Sequence, residues 1–203
     1  MASMKQTTIP IQAWRHISSD AMPAQGAWTE EQYLRLTDYT SRLIEFTDGY
    51  LEVLPMPTDR HQSILAYLFL AFNSFLQPRG GKVHFAALRV RIRERKFREP
   101  DLLLLLRADD PRREDRFWLG ADLVLEVVSK KKPERDLVDK VVDYAEARIP
   151  EYWIVNPLTE TITVYRLDGD AYVIAGVYTR GQTATSVLLT GFGVDVNGVF
   201  AVD

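Results

Sequence analysis

Apolar and polar positions along this chain follow two different periods, and the points where one gives way to the other outline its elements. From Asp59 to Gln77 the apolar residues Ile64, Leu65, Leu68, Phe69, Phe72, Phe75 and Leu76 recur at spacings of three and four. That spacing predicts an amphipathic helix, closed by Pro78 and Gly80-Gly81, that packs on one face of a sheet. Pro133 and Glu134 open a second helix running to about Arg148, with Leu137, Val138, Val141, Val142 and Ala145 as its expected core stripe. Thr29, followed by Glu30, Glu31 and Gln32, reads as the N-cap of a shorter helix with an acidic first turn.

Elsewhere the period is two, or the run is wholly apolar. Leu43–Phe46 and Tyr50–Leu54 flank Thr47-Asp48-Gly49, a hairpin in which Gly49 supplies the positive φ. Lys82 to Arg93 reads as one alternating strand. Val83, Phe85, Val90 and Ile92 take one face, and Arg89, Arg91 and Arg93 make the other wet and strongly basic. Leu102–Leu106 and Leu123–Val128 are continuous apolar runs, as in central strands covered on both sides, with Ala108–Gly120 as a charged loop between them. Glu151–Val155, Thr161–Leu167 and Ala171–Tyr178 read as three further strands, followed by a tail with a weaker strand or two. The expected fold class is α/β with α+β character: a mixed central β-sheet flanked by helices, an N-terminal hairpin and C-terminal strands. Met1–Ala27 holds no sustained period, so residues 1–27 are expected to be an irregular arm and residues 28–203 a single domain.

Composition narrows the chemistry. With 203 residues, 46% of them hydrophobic, the chain can bury a full core without a staple. The absence of cysteine removes thiol nucleophiles, disulfides and thiolate zinc sites together. A net charge of −3 excludes a globally basic nucleic-acid coat, so affinity for DNA has to come from a local patch and a metal ion. Met1–Asp20 lacks the apolar core of a signal peptide and no run is long enough to span a bilayer, so a cytoplasmic protein that does not enter membranes is expected.

Against this background two carboxylates stand out. Asp101 precedes five leucines, and Glu126 lies inside Leu123-Val124-Leu125-Glu126-Val127-Val128. A carboxylate in a buried strand costs several kcal/mol unless a cation meets it. If the two strands are neighbours, both can converge on one divalent ion, and hard oxygen ligands suit Mg²⁺ or Mn²⁺. Taken singly, each serves equally well as a structural ion-pair member at a strand end. Lys140 borders the apolar stripe of its helix, so its stem can pack while its ammonium reaches the sheet edge, where it can orient a nucleophile or steady developing charge. An isolated lysine of this kind would more simply be a solvated helix flank.

Taken together and in order, several segments carry a family likeness. They are Pro100-Asp101, Glu126-Val127-Val128-Ser129, Asp136-Leu137-Val138-Asp139-Lys140-Val141-Val142-Asp143-Tyr144 and Ile149-Pro150-Glu151-Tyr152-Trp153-Ile154-Val155-Asn156-Pro157. This combination resembles the Uma-type restriction endonucleases, a branch of the PD-(D/E)XK nuclease superfamily. The likeness extends from about Thr29 onward and includes Leu43–Leu51, Met56-Pro57 and His61-Gln62. It implies a restriction-endonuclease-like core with Asp101 and Glu126 as metal ligands, Lys140 as catalytic lysine and Glu45 as an accessory acid. Val128 stands where the superfamily motif has its lysine, so Lys140 must supply the ammonium from the following helix. Asn156 replaces a usual Asp outside the metal set, a change expected to be structural.

The resulting expectation is a Mg²⁺- or Mn²⁺-dependent endonuclease acting on DNA. Asp101, Glu126 and the Val127 carbonyl would hold the ion, and a homodimer is a further expectation. Arg89, Arg91 and Arg93, with Arg95, Lys96 and Arg98 beyond them, could track a phosphate backbone, as could Lys130 in Lys130-Lys131-Lys132; a solvated face is the competing account. His61 is left without a catalytic role, and Tyr152 and Trp153 are expected in the core. Two rivals remain: a catalytically inactive nuclease-fold domain that binds nucleic acid or protein, and a structural protein whose buried carboxylates only form ion pairs.

Overall fold

The computed structural model describes residues 22–129 and 135–202. Thr29 caps α1 (Glu30–Thr37) in a reciprocal capping box with Gln32. The hairpin follows as β1 (Ile44–Thr47) and β2 (Tyr50–Val53), with Asp48 and Gly49 at φ 49° and 94° in its two-residue loop. A Cβ on Gly49 would stand 2.3 Å from the Gly26 carbonyl oxygen, so glycine is required there both for φ and for the close passage of residue 26. Thr58 caps α2 (Asp59–Leu76), which ends in a tight 3-10 turn over Gln77–Arg79.

Six strands form the principal sheet, in the order β11-β10-β9-β8-β6-β3. They are β3 (Lys82–Phe85), β6 (Leu102–Leu105), β8 (Leu123–Val127), β9 (Glu151–Asn156), β10 (Thr161–Asp168) and β11 (Ala171–Tyr178). All neighbours are antiparallel except β8 and β9. α2 covers one face, packing Ile64, Leu68 and Phe72 on Leu102, Leu104, Leu125 and Trp153. On the other face Tyr144 of α3 (Lys140–Glu146) packs with Leu103, Val124, Tyr152 and Ile154. β6 and β8 are therefore buried on both sides, which is why their sequences do not alternate.

A second sheet, in the order β2-β1-β5-β4-β7, adds β4 (Arg89–Arg93), β5 (Lys96–Arg98) and β7 (Phe117–Trp118) to the hairpin. β12 (Thr183–Thr185) pairs with β13 (Gly193–Asp195), and α4 (Val196–Phe200) completes the described chain. Among the described residues no helix is long and apolar enough to cross a membrane.

Four sequence expectations are corrected here. Lys82–Arg93 is not one strand: β3 and β4 belong to different sheets, so the single alternating register does not exist. The expected loop Ala108–Gly120 contains β7, which joins β4 in parallel. The tail gains a helix, α4, whose Val196, Val199 and Phe200 fill the core under α2. The fourth concerns α3, which is preceded by a π-helical turn at Arg135–Asp139 and shows a different face to the core from the one expected. Val138 and Val142 are 58% and 64% exposed, whereas Lys140, Asp143 and Tyr144 are buried. The neighbouring sheet presents Lys96, Arg98 and Glu45 to this helix, and buried charges need counter-charges more than an apolar stripe needs cover.

Candidate active site

The two sheets meet at a short link, Arg98-Glu99-Pro100-Asp101, that carries the chain from β5 into β6. Phe46 pairs with Phe97 and Thr47 with Lys96, so continuing the β1/β5 register sets Glu45 opposite Arg98. Leu102 pairs with Leu125, and one step further Asp101 stands opposite Glu126. A single cavity of about 690 Å³ is lined by Glu99, Asp101, Glu126, Val127, Lys140 and His61, together with an apolar wall. It lies at the end of the principal sheet, between the N-terminal ends of α2 and α3.

Within it each carboxylate has defined partners. Glu126 Oε1 lies 2.6 Å from the Lys140 ammonium and accepts from the Tyr144 hydroxyl at 2.5 Å. The same ammonium is 3.9 Å from Glu45 Oε1, and Glu45 Oε2 lies 3.4 Å from Arg98 Nε. Asp101 Oδ2 accepts from the Val127 amide at 2.7 Å and meets His61 Nε2 at 3.1 Å. Behind these groups Asp143 binds Arg98 at 2.6 Å and Lys96 at 2.5 Å, so a chain of alternating charges runs from the cavity into the hairpin sheet. Such a chain fixes Glu45 and Lys140 in position, because moving either would uncover a buried charge.

Burial and charge shift the titration of several groups. Burial raises the Tyr144 hydroxyl well above its usual range, and Glu126 and Glu45 add to that, so it remains a proton donor to Glu126. Burial opposes the Arg98 charge, but Glu45 and Asp143 more than offset it and hold its pKa above the usual arginine value. Glu99 is pushed up to about 8, first by burial and then by the Glu45 carboxylate. In the unfolded chain the same carboxyl ionises near 4.5. The cost of keeping it neutral is therefore absent below that pH, grows as pH rises from about 4.5 to about 8, and is complete above. Glu99→Gln should flatten that decline and raise stability at pH 8 by on the order of a few kcal/mol. Urea unfolding across this range measures it, and a variant as pH-sensitive as wild type would contradict the assignment.

Of the residues singled out from sequence, Asp101, Glu126, Lys140 and Glu45 come together here, and the Val127 backbone lies beside Asp101. The β4 arginines do not join them. Arg89 is buried and donates to the Thr37 hydroxyl, Arg91 pairs with Glu30 at 3.3 Å, and Arg93 pairs with Asp48 and Glu146 at 2.7 and 2.9 Å. The wet basic face read from sequence is thus largely neutralised. Lys130 lies outside the described residues. Sequence reasoning missed Glu99 and Asp143, and it gave Arg98 only a phosphate-tracking role. Asp143 could have been found, since it stands three residues after Lys140 on one helix face. Nothing local marks Glu99.

As to a metal, no group of three His, Asp or Glu side chains able to hold an ion occurs among the described residues. Two carboxylates on one cavity are nonetheless a donor set that fits Mg²⁺ or Mn²⁺. Such ions are commonly held by one or two carboxylates, with water and substrate phosphate oxygens completing the shell.

Comparison with known proteins agrees with this architecture. The profile of the Uma2 family, described as "Putative restriction endonuclease", matches residues 30–197. A crystal structure of "a putative nuclease belonging to DUF820" from Anabaena variabilis superposes with a TM-score of 0.71 at 19% identity, covering 86% of this chain and 98% of that one. At that identity the likeness establishes a shared fold. No curated protein matches the sequence.

Proposed function

Since the chain belongs to the Uma2 family, the restriction-endonuclease-like group whose profile spans most of its length, we propose that it is a divalent-metal-dependent endonuclease that hydrolyses phosphodiester bonds in DNA. The observation that carries this reading is the convergence of Asp101 and Glu126, from adjacent antiparallel strands, with the Lys140 ammonium 2.6 Å from Glu126. Asp101 and Glu126 would hold Mg²⁺ or Mn²⁺. The Val127 carbonyl is the natural third donor, because N–H and C=O of one strand residue leave on the same side and the Val127 N–H already faces Asp101. A bound divalent ion supplies Lewis acidity to the phosphoryl oxygens and lowers the pKa of water.

The protein's own groups do the rest. His61 and the Val127 amide fix the orientation of Asp101, and Tyr144 fixes that of Glu126. As water attacks phosphorus and the bond to the leaving oxygen breaks, negative charge builds on the phosphoryl oxygens, and the Lys140 ammonium is placed to orient the water or balance that charge. Glu45 gives Lys140 a second carboxylate at 3.9 Å and is itself met by Arg98 at 3.4 Å.

The test is cleavage of supercoiled plasmid and of single-stranded circles by the full chain in Mg²⁺, Mn²⁺ or EDTA, with calorimetric titration of Mn²⁺. We expect nicking that needs a divalent ion, ceases in EDTA and returns when Mn²⁺ is restored, and one Mn²⁺ site that Asp101→Asn removes. DNA bound but uncut in both metals would establish the non-catalytic reading instead. An absence of Mn²⁺ binding would leave a purely structural ion-pair network.

A further inference from the structure

The wall of the same cavity is apolar and partly exposed to solvent. Met56, in the link from β2 to α2, is 75% exposed, and Phe85, the last residue of β3, is 51% exposed. Both line the cavity with Pro55 and Pro57. Phe85 is also fixed in place. Phe69 of α2 meets its ring edge-on at 5.0 Å, Phe85 pairs with Leu102 in the β3/β6 ladder, and the next amide, Ala86 N–H, donates to the Asp101 carbonyl at 3.2 Å. The Phe85 ring, held by these contacts, thus lines the cavity from the strand position opposite the residue that follows Asp101.

Charge and size limit what can bind there. Tight duplex binding rests on cations that neutralise several phosphates. Here the chain is acidic overall and, among the described residues, the β4 arginines are paired with Glu30, Asp48 and Glu146 or buried, Arg60 in the cavity lining pairs with Glu160 at 3.4 Å, and Lys140 is 4% exposed. A cavity of about 690 Å³ is of small-molecule scale, roughly 300 to 1,000 Å³, which admits a nucleotide or two rather than a turn of duplex. Stacking on an aromatic face needs no cation and tolerates any base, since every base has a π face. Met56 adds a polarisable thioether to the same wall.

We propose that Phe85, with Met56 beside it, is a stacking platform for an unpaired base, so that the site takes single-stranded DNA, or the frayed part of a duplex, in preference to intact duplex. A base already unpaired enters without the cost of breaking a base pair, and Asp101 lines the same cavity to receive its phosphate. This inference rests on the nuclease reading for the identity of the ligand, and its test is one of binding.

The probes are an oligothymidylate carrying one 2-aminopurine and a blunt duplex of the same length, titrated in EDTA with the full chain. Wild type should bind the single strand more tightly, with 2-aminopurine fluorescence quenched as the base stacks. Phe85→Ala should weaken single-strand binding by roughly 5- to 150-fold and leave duplex binding unchanged. Phe85→Tyr should restore binding and quenching, and Phe85→Leu should not. Met56→Ala, at a site far more exposed, should give a smaller loss in the same direction and serves if Phe85→Ala misfolds. Equal or tighter duplex binding by wild type, or a folded Phe85→Ala that binds the single strand as wild type does, overturns the proposal. So does a dimer in sedimentation that Phe85→Ala converts to monomer, since the wall would then be an interface between two copies. The two readings fail separately. Metal-dependent cleavage with no Phe85 effect on binding removes only the platform, whereas a Phe85-dependent single-strand complex with no cleavage in any metal removes only the nuclease.

Discussion

Asp101→Asn and Glu126→Gln should each lower Mn²⁺-dependent plasmid cleavage by about a thousandfold or more while leaving the protein folded. The size follows from the several kcal/mol of transition-state stabilisation that a metal supplies, at about 1.36 kcal/mol per tenfold in rate. The isosteric amides are chosen for a structural reason. Asp101 Oδ2 accepts the Val127 amide at 2.7 Å, and an asparagine oxygen can accept the same bond. In Glu126→Gln the carbonyl oxygen still accepts from Tyr144, and the amide removes only the charge that Lys140 meets. Thermal melting separates the two effects: Asp101→Asn should lose cleavage at a near-native Tm, whereas Glu126→Gln, which leaves the buried Lys140 ammonium only Glu45 at 3.9 Å as counter-charge, should lose cleavage and also melt lower. Cleavage at the wild-type rate in either variant would show that the activity belongs to another site or another protein.

Lys140→Ala should be costly twice over, to the fold as well as to the rate. It strips the ammonium from Glu126, 2.6 Å away, and from Glu45, 3.9 Å away, both of them carboxylates that are almost wholly buried. Removing one partner of a buried pair costs about 3–5 kcal/mol, because the remaining charge is left without compensation. For a chain of this length each kcal/mol shifts Tm by roughly 2–4 °C, so a fall of roughly 6–20 °C is expected. The double variant Lys140→Met, Glu126→Gln removes both charges at once and should recover most of that stability while remaining inactive. A Lys140→Ala protein as stable as wild type would mean that the ammonium is not the counter-charge of this cluster. A double variant that cleaves DNA would remove both residues from the chemistry.

Parts of this arrangement were legible in the chain and parts were not, for reasons that differ residue by residue. Asp101 and Glu126 could be found because a carboxylate beside a run of leucines is anomalous wherever the strands go. Lys140 could be found because helical spacing set it at the edge of an apolar stripe, but the stripe itself was misread: Val138 and Val142 face outward and Asp143 faces in. Periodicity assumes that a helix buries its greasy side. That assumption fails when the surface opposite is charged, as Lys96, Arg98 and Glu45 make it. The pairing of the β4 arginines could not be read from sequence for the related reason that alternation gives the facing of a side chain and not what stands opposite. Glu30, Asp48 and Glu146 come from three separate segments and neutralise what looked like a bare basic strand.

What the sequence determined by itself is local or statistical: the capped α1 and the amphipathic α2, the hairpin that turns at Gly49, the core strands with no polar face, and the family membership carried by motifs in fixed order. Each depends on interactions within a few residues, or on a pattern that survives without coordinates. The tertiary structure alone decided that residues 82–93 divide between two sheets, that Glu99 lies buried against Glu45, and that Phe85 stands beside Asp101. Those outcomes depend on which strand edges meet and which charges are taken out of water together. Both are set by contacts between segments tens of residues apart, whose energies no single window of sequence contains.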